Sequence, residues 1–154
     1  MSVVTNCHTC ELVVRRDQGQ APLWDCIQRT AYWDVAHSFN TSILGWMVLV
    51  TRRHIAAIHE MSEAEGIELG VLIRRVSIIL EELTGCMKTY VVQFAESPNH
   101  PHVHVHIIPR MADQPDELRG PNIFRAAHVP DEVRVTEEKM NEFCEKVQAR
   151  LLNM

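Results

Sequence analysis

A chain of 154 residues, 46% hydrophobic and 23% charged, has the size and balance of one globular domain with its own core. Its formal charge of −5 excludes a broad basic surface for nucleic acid or anionic membrane, although a small anionic ligand needs only local positive charge. No apolar run approaches the roughly 20 residues that span a bilayer, no basic-then-apolar leader opens the chain, and five cysteines leave at least one unpaired. These features predict a cytoplasmic protein with no membrane or nucleic-acid partner.

Cys7 and Cys10 are the first chemical signal. Two cysteines separated by two residues can bind zinc or form a redox pair, and alone they supply only half of the ligands that zinc usually takes. Leu12, Val13 and Val14 then predict a short strand within Glu11–Arg16, and Asp17 to Pro22 reads as a turn. Trp24, Ile27, Tyr32 and Trp33 follow at uneven spacing, as cover for a sheet end or as a pocket wall. The segment from Leu44 to His54 is an apolar strand, entered through Gly45 and left through Arg52, Arg53 and His54.

Ser62 and Glu65 have the spacing of a capping box, and a long helix is predicted behind them. Leu69, Ile73, Val76, Leu80 and Leu83 give it an apolar stripe that Leu72 and Ile79 widen, and Gly85 stops it. Arg74, Arg75, Glu81 and Glu82 fall on its solvent side. Lys88 to Phe94 is β-branched and aromatic, a strand. Residues 95–101, with two prolines and Asn99, form a fixed turn.

His102, Val103, His104, Val105, His106 and Ile107 alternate strictly, followed by Ile108, Pro109 and Arg110. Alternation of this kind marks a half-buried strand, with the three apolar residues inward and three imidazoles on the opposite face. Such a face can bind an anion, hold a metal or attack an electrophile. Four of the nine histidines, counting His100, fall between positions 100 and 106, which argues against a merely histidine-rich surface. A polar loop follows Arg110. A last helix is predicted from Thr136, burying Met140, Phe143, Cys144, Val147 and Leu151.

The His-φ-His-φ-His-φ-φ stretch, with φ apolar, resembles the signature of the histidine-triad superfamily of nucleotide hydrolases and transferases. Pro109 and Arg110 match what often follows it. The resemblance implies an α+β fold: a five-stranded antiparallel sheet with two helices, in a single domain over 1–154. The core would occupy about 7–110, with a C-terminal loop and helix over 111–154, and two copies would form a homodimer through the long helix and a neighbouring strand.

The same resemblance implies His104 as the nucleophile toward the α-phosphorus of a nucleotide, His106 as a phosphate donor and His102 as the group that orients the centre. It puts Gln93 and Asn99 on the substrate phosphate. Ser38 falls where the family has a ribose-binding Asp or Asn, with His37 and Asn40 as neighbours that serve if the loop differs in length. Trp46 stands where the family often has a histidine. Part of the family holds a structural zinc, and the matching ligands are Cys7, Cys10, His54 and His102.

The implied substrates are dinucleoside polyphosphates and adenylates such as phosphoramidates. The Pro109-Arg110 tail leans to the first. The product is a nucleoside monophosphate, and no organic cofactor is expected. A purine-nucleotide-binding regulator with little turnover is the alternative. A catalytic metal site on a β-barrel needs a Glu a few residues past the His-x-His pair, and Ile107 to Ala112 supply none.

Overall fold

The computed structural model describes residues 6–154; the first five residues, part of the stretch read for a leader, lie outside it. Five strands form one antiparallel sheet: β1 (Gln28–Arg29), β2 (Trp33–His37), β3 (Met47–Thr51), β4 (Lys88–Val92) and β5 (His104–Arg110). Their order across the sheet is β1-β2-β3-β5-β4, so the histidine strand lies between β3 and β4.

Among the described residues three α-helices accompany the sheet: α1 (His8–Asp17), α2 (Glu63–Thr84) and α3 (Glu137–Leu152). The sheet and the two longer helices are those expected. The strand expected over Glu11–Arg16 is instead part of α1. The reason is spacing: Thr9, Cys10, Val13 and Arg16 are the buried positions, three and four apart, which is a helix face and not an alternating one. Glu11 in the first turn and Arg15 and Arg16 in the last also suit the helix dipole. Arg16 is buried because its guanidinium reaches both Asp25 (2.8 Å) and Asp34 (3.4 Å), which pins α1 to the sheet edge.

α2 begins as expected. Ser62 Oγ accepts from the Glu65 amide, the Glu65 carboxylate accepts from the Ser62 amide, and Gly85 ends the helix in the left-handed region at φ 70°. Leu72, Val76, Ile79 and Leu80 of α2 meet Phe143, Cys144, Val147 and Leu151 of α3 over Val35, Met47, Leu49, Val105 and Ile107 of the sheet. A smaller cluster of Trp46, Ile108, Ile123 and Ala126 is separate from this core, and the post-triad segment packs into it through two 3-10 turns, Asp116–Leu118 and Gly120–Ala126. Among the described residues no helix is long and apolar enough to cross a membrane.

Gly45 turns the chain into β3 at φ 90°, where a Cβ would meet Phe143 at 3.2 Å and Leu80 at 3.3 Å. Its amide donates to Nε2 of the buried His37 (2.9 Å), whose Nδ1–H donates to the Ser38 carbonyl (2.7 Å). Both ring nitrogens are committed in the neutral form, and burial pushes the His37 pKa down from 6.5 to about 4. The unfolded chain therefore takes up this proton first as pH falls. The stabilisation is complete above pH 6.5 and is lost on the way down to about 4. Urea unfolding should show the gap between wild type and His37→Gln narrowing by about 2 kcal/mol between pH 7 and pH 5. A gap that stays constant would refute the assignment.

Candidate functional site

β5 begins at His104, so only two of the three histidines lie on the strand proper. Val105 and Ile107 face the main core, as expected. His104 and His106 face the other side of the sheet, opposite Val50 and Val48 of β3 in register. Their rings meet edge to face with centroids 4.9 Å apart.

Hydrogen bonds fix both tautomers. A carbonyl oxygen can only accept, so His104 Nδ1–H donates to the His102 carbonyl (2.7 Å), and the His104 Nε2 lone pair is left bare. An indole N–H can only donate, so His106 Nδ1 accepts from Trp46 Nε1 (3.0 Å), and the His106 proton sits on Nε2. Burial lowers the pKa of both rings, against the opposing effect of the carbonyl bond at His104. For His106, with the neighbouring His104 charge added, the value falls to about 3. Near neutral pH this leaves a bare nitrogen and an N–H donor side by side, both uncharged. Such a pair can attack an electrophilic centre and hydrogen-bond the oxygen that gains charge.

His102 has left that face. It precedes the strand, is fully buried, and donates Nε2–H to the Thr51 carbonyl (2.7 Å) at the end of β3. This turns its bare Nδ1 toward Cys10 Sγ (3.6 Å) and Cys7 Sγ (3.7 Å). His54 Nδ1 lies 3.3 Å from Cys10 Sγ. Cys7, Cys10, His54 and His102 thus converge, all four donor atoms within 4.8 Å of one another. A tetrahedral zinc with ordinary bond lengths puts its sulfur and nitrogen ligands about 3.6 Å apart, so these spacings fit one. The Thr51 carbonyl is the kind of outer partner that fixes a ligating imidazole. His8 points elsewhere, pairing with Glu11 at the surface (2.9 Å).

The other expected residues are less gathered. Ser38 closes β2 half-buried, its amide donating to the Trp46 carbonyl (2.8 Å). With His37 committed, Asn40 is the more available neighbour: its Oδ1 is buried and has no hydrogen-bond partner. Gln93 is the first residue beyond β4. Asn99 is exposed on the turn before the triad, its carbonyl accepting from the His8 amide (2.8 Å), and it lines an open cavity with Asn6, His8, Glu11, Pro98 and His100. Two residues have contacts with the pair that sequence reasoning did not assign. Trp46 bonds His106, and Phe124 of the second 3-10 turn sets its ring edge-on to His106 (5.2 Å) and Trp46 (5.3 Å). An indole at a position where the resemblance has a histidine was the one available signal for the first. Nothing local marked the second.

The sequence matches no family model, and the comparison with curated proteins finds no match. Solved structures are similar throughout the fold. A histidine-triad protein from Marinobacter aquaeolei VT8 aligns at TM-score 0.68 and 25% identity over 83% of this chain and 88% of its own. A zinc-bound histidine-triad family protein from Mycobacterium smegmatis aligns at TM-score 0.64 and 15% identity, over 96% and 94%. The diadenosine triphosphate hydrolase of Plasmodium falciparum aligns at TM-score 0.62 and 17% identity, over 82% and 76%.

Proposed function

Because the chain has the fold of the histidine-triad proteins, with its own triad histidines in and just before the centre of the sheet, we propose that it is a nucleotide hydrolase. It would act at the α-phosphate of a nucleoside phosphoanhydride or phosphoramidate. The observation that carries this is the paired tautomers: a bare Nε2 on His104 beside an Nε2–H on His106. The His104 lone pair forms a bond to the α-phosphorus, and the bond from phosphorus to the leaving group breaks, its electron pair departing with that group. His106 Nε2–H donates to a phosphoryl oxygen as charge builds there. Water then displaces the imidazole from phosphorus and yields one proton to solvent, matching the one that the departed leaving group takes up, which frees His104 and releases a nucleoside monophosphate. Asn99 and Gln93 remain the proposed further phosphate donors, and Ser38 or Asn40 the ribose contact.

Cys7, Cys10, His54 and His102 would hold zinc. Four protein ligands fill a tetrahedron and leave no open position, so the metal would act structurally, holding α1 and the entry to β5 together. The fold similarity to the zinc-bound mycobacterial protein supports this. A homodimer also belongs to this reading. β4 is a sheet edge with Val91 46% exposed, and α2 exposes Ile67. Sedimentation equilibrium should therefore return twice the chain mass of 17.7 kDa.

The function is tested by incubating the protein with a diadenosine polyphosphate and with an adenosine phosphoramidate and following AMP by chromatography. AMP release is expected, faster from the polyphosphate. Binding of AMP without release from either substrate would replace the enzyme with a nucleotide-binding regulator.

A further inference from the structure

Trp46 is fully buried at the entry to β3 and belongs to neither the triad nor the metal cluster. Met47 lies opposite Ile107, so position 46 falls beside the end of β5 and its ring reaches diagonally to His106. The indole Nε1–H meets His106 Nδ1 at 3.0 Å, with the rings nearly perpendicular at 84°. Phe124 sets its ring edge against both, so the three side chains form one closed cluster.

We infer that Trp46 is a positioning residue that holds His106 permanently as an Nε2–H donor. An imidazole at position 46 could donate or accept, and His106 could then exchange tautomers with it. An indole has no lone pair to offer and only donates. With its Nδ1 lone pair engaged, neutral His106 must carry its proton on Nε2 and cannot take a proton there. The division of labour between two adjacent, chemically identical rings is then set from outside the pair. The Trp46 indole commits His106 to donate, and the His102 carbonyl commits His104 to attack. The tautomer rests on the Trp46–His106 hydrogen bond alone; only its consequence for turnover rests on the function proposed above.

The test is the ring-nitrogen signature of His106 in long-range proton–nitrogen spectra of histidine-labelled protein. Wild type should show a bare Nδ1 and a protonated Nε2. In Trp46→Phe, which keeps a ring without a donor, a population protonated on Nδ1 should appear. kcat for AMP release should fall at least about tenfold, with KM changing much less. Replacing the Trp46 indole by the isosteric benzothiophene, which has sulfur in place of N–H, gives the same readout without leaving a cavity. A wild-type His106 protonated on Nδ1 would overturn the inference. So would a tautomer unchanged in both variants, which would reduce Trp46 to packing. If wild type released no AMP, the proposed function would fail, while the spectra would still decide the role of Trp46.

Discussion

His104→Ala is expected to lose essentially all AMP release, by on the order of 10,000-fold or more, because no other ring can stand in for the lost nucleophile. His106 is the nearest candidate, but its Nδ1 is bonded to Trp46 and its Nε2 carries the proton. His102 is fully buried, with Nε2 on the Thr51 carbonyl and Nδ1 facing the two cysteines. The truncation should leave the fold intact. His104 is only half-buried, its backbone ladder with Val50 persists, and Val105 and Ile107 of the main core point the other way. Circular dichroism and a thermal melt close to wild type would accordingly accompany the loss. Turnover near the wild-type rate would remove His104 from the nucleophile's role.

Cys10→Ser should show the second large effect, on metal content and stability. Cys10 Sγ is the donor nearest to both imidazoles, 3.3 Å from His54 Nδ1 and 3.6 Å from His102 Nδ1. A serine hydroxyl does not ionise at neutral pH and is a poor substitute for a thiolate. Elemental analysis should find about one zinc per wild-type chain and far less in the variant. Because ligand binding to the native state adds directly to its stability, the variant should lose several kcal/mol, read as a markedly lower melting temperature. α1 would not detach altogether, since Arg16 still joins it to Asp25 and Asp34. Undiminished zinc in the variant would rule out this ligand set.

Much of this architecture was legible because its signals are local. The Ser62–Glu65 box, Gly85 and the buried faces of α2 and α3 are set within a few residues of chain and are found where their spacing predicts. The triad strand is legible for the same reason, since alternation decides which side chains share a face. α1 was not. Three apolar residues in a row suggest a strand, while the true face includes Arg16, whose burial depends on two carboxylates elsewhere in the chain. Alternation alone placed His102 on the same face as His104 and His106; its departure from that face follows from a bond to the Thr51 carbonyl on another strand, and only the family resemblance put it with the cysteines. The contacts of Trp46 and Phe124 with His106 also depend on packing between distant segments: the pairing of β3 with β5 for one, the path of the post-triad segment for the other. The four-residue cysteine–histidine cluster was legible only through family resemblance, since its members come from the start of α1 and the residue before it, from beyond β3 and from just before β5.

The central place of β5 also governs how the molecule can move. The strand is laddered on both sides, Val50 against His104 in one register and Val92 against His106 in the other. β4 is the edge strand, whereas β3 is itself paired with β2, so the β3–β5 ladder does not open without dismantling the sheet. The amides of the histidine strand that bond to β3 should be among the slowest in the molecule to exchange with solvent, and no gating motion is expected of the strand itself. On the function proposed above, adjustments that admit a nucleotide or release a product would fall to the bordering 95–101 turn, around a fixed floor.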